Sequence, residues 1–588
     1  MWGMGVAAIL FYRYFLSVMQ KENKWLVTET PCPEESFGVI EGRVAVSDRT
    51  YPLGIAVRLV RELQNLVASK PEITLMRLDG WGRRVIRQAQ DYPPPRFTWI
   101  YPEFREMPVL NEEQRGLLAG RLLSGIELSG LMRQYVDWSP GEWERWLQQE
   151  IMHGRADRRP GVGRDRLGRV VCNRCGETEF LQEQVCHFCG GRCYVCLACQ
   201  CFGPARECLP LYHIYSRGLV EPPGEIVLNM PALTPIQELA AGKVRDFYRD
   251  GRGEFLVWAV CGAGKTEVVY PALREALLAG ERVLYAVPRR DVVREMGQRF
   301  ARAFPGLKIN VLHGGEGRIE TPDAPLTVAT THQVLRFIAH FDLAVLDEAD
   351  AYPYEGSRML HFGLRRAVRP TGRIVMMTAT PDAELRQKVA EGKLGCVRIP
   401  GRHHGRPLPV PVLMEDELPV GLWQAGGSLP PVVRRHLVDW AERMLPVLIF
   451  LPTVGAVESF GRFLQQVPEL KPIPLDWVHA GHPHRDRIVE EFRSGKLRMM
   501  VTTTVLERGL NFPGVQVMVL HADDERVFDT ECLVQIAGRV GRYASHPGGE
   551  VVFIGCKISR AMLEAEKWIR EMNKEAKQAG LLDDFTSF

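Results

Sequence analysis

A chain of 588 residues is too long for one hydrophobic core and, at about 150 residues per domain, suggests roughly four folding units. Its composition, 46% hydrophobic and 25% charged, excludes collagen and general disorder, and the lack of any uninterrupted apolar run of about 18 residues excludes a multi-pass membrane protein. Lys and Arg number 74 against 71 Asp and Glu, a net +3, so any surface suited to nucleic acid must be local.

The apolar run Met1–Met19 is interrupted at Arg13 and Tyr14, and no small-residue cleavage site follows it. It is expected to form a buried N-terminal helix, with a membrane-surface contact or a signal anchor as alternatives. The rest of an N-terminal domain, residues 1–152, is mixed in pattern and rich in Trp, has helical spacing over Glu112–Leu147, and carries no catalytic motif. The stretch His153–Arg169, with six Arg and two Asp, reads as an exposed basic linker.

Nine of the 14 cysteines then fall between Cys172 and Cys208. Without a visible signal peptide, such crowding points to metal rather than to a disulfide framework, so residues 153–229 are expected to be a linker and a zinc module. A turn with two residues between cysteines aims both sulfurs at one tetrahedral ion, and two such turns close a four-thiolate site. Cys172/Cys175, Cys186/Cys189 and Cys193/Cys196 have this spacing, followed by Cys199, Cys201 and Cys208. Eight thiols allow two sites, and proximity alone would join Cys172 and Cys175 to Cys186 and Cys189. A redox-active dithiol and an iron–sulfur cluster are the alternatives.

From about Met230 short apolar runs alternate with amphipathic segments, the pattern of α/β units around parallel sheets. Phe255–Val260, Val283–Val287, Leu326–Ala329, Leu343–Leu346 and Ile374–Met377 read as buried strands of one domain, 230–385. A Pro-rich passage within 386–430 reads as a linker. Val447–Leu451, Trp477–His479, Met499–Thr502, Val517–Leu520 and Val551–Ile554 read as strands of a second domain, 431–588. The fold class is thus α/β, two tandem parallel-sheet domains behind a cysteine-rich module and a mixed N-terminal domain. The amphipathic run Ala561–Ala579 is expected to pack back on the second domain.

The strand Phe255–Val260 leads into Cys261, Gly262, Ala263, Gly264, Lys265 and Thr266 and then a helical segment, the order a phosphate-binding loop requires. Gly262, Ala263 and Gly264 let backbone N–H groups surround phosphate oxygens, Lys265 reaches the β- and γ-phosphates, and the Thr266 hydroxyl suits Mg²⁺. Ala259 stands where the common pattern has its first Gly. The strand Leu343–Leu346 ends in Asp347 and Glu348, placed to hold the metal and to orient the attacking water. Late in the second domain, Gln535–Arg542 carries Arg539 and Arg542 three residues apart, on one face if helical. An arginine there reaches a γ-phosphate only when the two domains close, which ties hydrolysis to domain motion. Cys261 itself reads as a small packing residue, and His403 and His404 as part of an exposed basic loop.

Together, Gln237 within Leu233–Gln237, the phosphate loop, Pro288–Arg290, Asp347–Asp350, Thr378–Thr380, the loop Thr502–Asn511 and Gln535–Arg542 stand in the order of superfamily 2 helicase motifs. More narrowly, residues 261–267, 347–354, 506–513 and 535–542, with the cysteine cluster before them and the basic segment Arg402–Pro411 between them, resemble the ComFA family of late competence ATPases of Gram-positive bacteria. The resemblance implies RecA-like domains and an ATP-dependent, single-stranded-DNA-stimulated translocase that draws in transforming DNA. It implies other competence proteins as partners and a cytoplasmic place at the inner membrane face. It further implies that Gln237 reads adenine; that Lys265, Thr266, Asp347 and Glu348 bind and hydrolyse MgATP; and that Gln535, Arg539 and Arg542 sense the γ-phosphate. Arg289, Arg290, Thr330, Thr331, Thr453, Thr503 and Arg508 are then expected along the DNA strand, through phosphate contacts.

The family pattern assigns one zinc to Cys172, Cys175, Cys196 and Cys199. The surplus cysteines are similar to the interleaved double module of PriA, the replication-restart helicase, which puts a second zinc in Cys186, Cys189, Cys193 and Cys208 and leaves Cys201 over. A PriA-like restart helicase, a non-catalytic DNA-binding scaffold and an RNA helicase are the competing functions. The last is disfavoured because Gln535-Ile536 replaces the His-Arg pair that opens the final motif of RNA DEAD-box proteins, and Val220 stands at their upstream aromatic position.

Overall fold

The computed structural model describes the strands Arg13–Lys21, Lys24–Thr30, Val44–Pro52 and Phe97–Ile100, and then residues 110–582 apart from 137, 139, 190, 217–223, 315–323, 419–422, 424–427 and 505–511. The first four strands form an antiparallel sheet in the order Lys24–Thr30, Arg13–Lys21, Val44–Pro52, Phe97–Ile100. The helix expected over Met1–Met19 is therefore a strand from Arg13 onward, and residues 1–12 lie outside the described set. Tyr14, Phe15 and Val18 are residue types that favour strands, and Lys24–Thr30 begins close enough to close a hairpin, with Val18 opposite Val27.

Three helices follow: Glu112–Leu118, Gly125–Tyr135 and Pro140–Met152. The first two are fixed by reciprocal caps, Asn111 with Gln114 and Ser124 with Glu127. They cover a three-stranded sheet in the order Leu122–Ser124, Pro210–Ile214, Ala156–Pro160, around Leu118, Leu128, Trp143, Trp146 and Tyr212. The stretch expected to be an exposed linker thus holds the strands Ala156–Pro160 and Val162–Arg164, with Val162 fully buried. Two of its arginines are held locally: Arg159 pairs with Asp157, and Arg169 with Asp165 at 2.8 Å. The cysteine-rich hairpins extend between Pro160 and Pro210, so both ends of that insertion are anchored in one sheet.

The first lobe is a seven-stranded sheet in the order Ile309–Leu312, Leu326–Thr330, Val283–Val287, Phe341–Asp347, Val368–Thr378, Gly253–Ala259, Gly395–Ile399, every pairing parallel. The second lobe is a six-stranded parallel sheet in the order Val412–Glu415, Val551–Gly555, Gln516–Leu520, Val447–Phe450, Met499–Thr502, Leu475–Val478.

These are two RecA-like domains. The region expected as a linker, 386–430, gives each sheet an edge strand, Gly395–Ile399 to the first and Val412–Glu415 to the second. Both are short, and their mixture of polar and apolar residues hides them from a search for continuous apolar runs. The helix Arg560–Gln578 packs on the second lobe as expected and also reaches the first: Trp568 meets Trp258 edge-on at 6.5 Å, and Arg398 pairs with Glu575 at 2.9 Å. No helix among the described residues is long and apolar enough to cross a membrane.

Candidate nucleotide site and cysteine module

The helix Lys265–Leu278 starts soon after Gly253–Ala259 ends, and the turn between them needs left-handed backbone at Gly262 (φ 83°) and Gly264 (φ 75°). A Cβ on Gly264 would lie 2.3 Å from Gln237 Nε2, so the loop fits closely over that side chain. Gln237 is itself buried: its Nε2 donates to the Ala263 carbonyl at 2.8 Å, and its Oε1 accepts from Thr234 N at 2.9 Å.

Asp347 ends a strand two places away in the sheet, about 10 Å across at ordinary strand spacing. Tyr285, from the adjoining strand, donates to Asp347 Oδ2 at 2.7 Å, and burial with the nearby carboxylate pushes the Tyr285 phenol well up, so it stays a donor. Glu348 follows with φ 53°, and its N–H donates to Asp347 Oδ1 at 2.9 Å. Sequence reading missed Tyr285, which looks like any core residue of a buried strand.

The second lobe closes this cavity of about 700 Å³, whose lining includes Lys265, Thr266, Asp347, Glu348, His403 and Arg542. The helix Thr530–Ala537 ends before the arginines, so Arg539 lies in the turn after it and Arg542 just beyond that turn, neither on a helical face. Arg539 is buried, and desolvation with the neighbouring Arg542 pushes it down to about 9. Gln535 joins the lobes: its Nε2 donates to Asp350 Oδ2 at 3.2 Å and to Thr380 Oγ1 at 3.1 Å, and its Oε1 accepts from the Cys261 thiol at 2.9 Å. A Cβ on Gly538 would lie 2.6 Å from Cys261 Cβ, so the two lobes touch closely at that point.

Arg289 and Arg290 follow the strand Val283–Val287, and Thr330 and Thr331 stand at the end of its neighbour Leu326–Thr330, where both threonines are buried. Thr453 and Thr503 follow the paired strands Val447–Phe450 and Met499–Thr502, and Thr453 caps a helix by accepting from Ala456 N at 3.1 Å. All six are thus at carboxyl ends of parallel strands, where open α/β sheets bind ligands. Arg508 and the rest of its loop from 505 to 511 lie outside the described residues.

The cysteines form two groups, Cys172, Cys175, Cys196 and Cys199 in one and Cys186, Cys189, Cys193 and Cys208 in the other, with all sulfurs of a group within 4.8 Å of one another. Cys201 is exposed and belongs to neither. Four sulfurs at about 2.3 Å from a tetrahedral ion stand about 3.8 Å apart. Here Cys172–Cys199 is 3.8 Å, Cys175–Cys196 3.6 Å, Cys186–Cys208 3.5 Å and Cys193–Cys208 3.8 Å, so both groups fit zinc. The first group sits in the same apolar cluster as Phe341, Leu346 and Leu364 of the first lobe, whereas the second forms a small cluster of its own.

The family model for the ComFA N-terminal domain matches residues 117–213, that for the DEAD/DEAH box helicase 234–388, and that for the helicase conserved C-terminal domain 432–544. Competence protein ComFA of Bacillus subtilis is 36% identical over 421 residues, covering 71% of this chain and 88% of that protein. Its counterpart in Streptococcus pneumoniae is 34% identical over 455 residues, 77% and 99% respectively. This chain belongs to the ComFA family. Beyond the family, the ATP-dependent DNA helicase RecG of Streptococcus pneumoniae is 25% identical over 334 residues, covering 54% of this chain and 48% of that protein. As a ComFA-family member the chain carries both domains of an ATP-dependent superfamily 2 helicase, with the ComFA N-terminal match spanning both cysteine groups.

Proposed function

We propose that this protein is an ATP-driven translocase of single-stranded DNA that serves uptake of transforming DNA, working from the cytoplasmic side of the membrane with other competence proteins. The observation that carries the reading is the composite cavity: Lys265 and Glu348 from one lobe face the same space as Arg542 from the other. Lys265 and the loop N–H groups bind the phosphates, Glu348 orients water, and Arg542, with Arg539 behind it, offsets charge building on the γ-phosphate. Thr266 and Asp347 would hold Mg²⁺, which neutralises phosphate charge when bound. Because the arginines and the lysine belong to different lobes, hydrolysis and release alter the attraction between the lobes, and the DNA-facing strand ends move with them. The two cysteine groups would each hold a zinc that fixes its hairpins.

ATP turnover compared with single-stranded, duplex and forked DNA and with RNA, all at one salt concentration, tests the reading. Single-stranded DNA should stimulate most, and Lys265→Ala or Glu348→Gln should lower turnover by about 10²-fold or more. Turnover indifferent to nucleic acid would contradict the reading, and a preference for forks would favour a restart helicase.

A further inference from the structure

The segment between the lobes contains Arg402, expected in an exposed basic loop but only 3% exposed. Its guanidinium donates to four carbonyls: Nε to Cys261 at 3.2 Å, Nη1 to Val540 at 2.8 Å and Gly541 at 2.6 Å, and Nη2 to Gly538 at 3.1 Å. One carbonyl belongs to the phosphate loop of the first lobe and three to the arginine loop of the second. We propose that Arg402 is a positioning residue that sets the spacing between these two loops, so that Lys265 and the arginines come into register on one nucleotide.

The inference rests on the proposed ATPase reading and adds a group to it. Its partners are backbone atoms next to the residues that face the cavity: Cys261 precedes Gly262, and Gly538, Val540 and Gly541 bracket Arg539 and lead to Arg542. Any shift of Arg402 therefore moves both halves of the site. Gly541 leaves room for it, since a Cβ there would lie 3.1 Å from Nη1, tighter than ordinary contact. The next two residues repeat the bridge, with His403 Nδ1 2.8 Å from the Gly262 carbonyl and His404 Nε2 3.1 Å from that of Gly541. Among the described residues no carboxylate hydrogen-bonds to Arg402, and burial pushes it down to about 10. Carbonyl dipoles hold this cation, and only a planar fork of five N–H donors reaches all four at once.

The test uses the full chain, with kcat and KM for ATP measured at saturating single-stranded DNA and the Kd of a non-hydrolysable ATP analogue measured separately. For Arg402→Gln, kcat should fall by about 10²-fold, the effect of misplacing reacting groups by about 1 Å, while the analogue Kd stays within about threefold. Arg402→Lys keeps the charge but lacks the fork, and should not restore kcat; it carries the test if Arg402→Gln melts early. A kcat near wild type in either folded variant overturns the proposal, as does loss of analogue binding in step with kcat or failure of both variants to fold. A wild-type chain without DNA-stimulated turnover would instead refute the ATPase reading on which the inference stands.

Discussion

At the scale of single residues, the site combines groups whose charges are costly to hold with groups that hold them. Asp347 is fixed by the Tyr285 phenol and by the N–H of Glu348, whose left-handed backbone is the sort of strain that collects at functional positions. Tyr285→Phe removes one donor without changing shape. It should cost about 1 kcal/mol of stability in denaturant unfolding and raise the Mg²⁺ concentration needed for half-maximal turnover. An unchanged Mg²⁺ requirement would show that Tyr285 only fills the core.

Among the elements, the two cysteine groups differ in what they support. The group of Cys172, Cys175, Cys196 and Cys199 shares its apolar cluster with the first lobe, and Arg366 of that lobe donates to the carbonyls of Asn173, at 3.0 Å, and Arg174. Glu127 completes the joint by pairing with Arg174 and with Arg336, each at 2.9 Å. Cys199→Ser should therefore lower the Tm of the whole chain, whereas Cys189→Ser should chiefly expose the outer hairpin to protease. Metal analysis should give two zinc per wild-type chain and fewer in each variant. Equal Tm losses in the two variants would contradict this division.

Across the whole molecule, the parts legible in the sequence are those governed by local rules. Continuous apolar runs such as Val283–Val287 and Met499–Thr502 mark buried parallel strands, and Gly262–Thr266 marks a loop whose chemistry is local. What escaped reading depends on contacts distant in the chain. Arg402 looks like a solvated arginine until its four carbonyl partners, 136 to 141 residues away, are brought to it. The stretch His153–Arg169 looks like a linker until Pro210–Ile214 pairs with Ala156–Pro160. The edge strands Gly395–Ile399 and Val412–Glu415 mix polar with apolar residues and do not stand out unless the sheets they complete are known. The lobes themselves meet through Gln535, Arg402, the Trp258–Trp568 contact and the Asp291–Arg485 pair at 2.6 Å, so the nucleotide cavity exists only in the assembled chain. The most direct measurement is ATP turnover by Arg542→Ala at saturating single-stranded DNA, alongside its affinity for a non-hydrolysable ATP analogue. Turnover should fall by about 10³-fold with the analogue still bound, as expected for a charge supplied from the opposite lobe; turnover equal to wild type would contradict a site shared between the lobes.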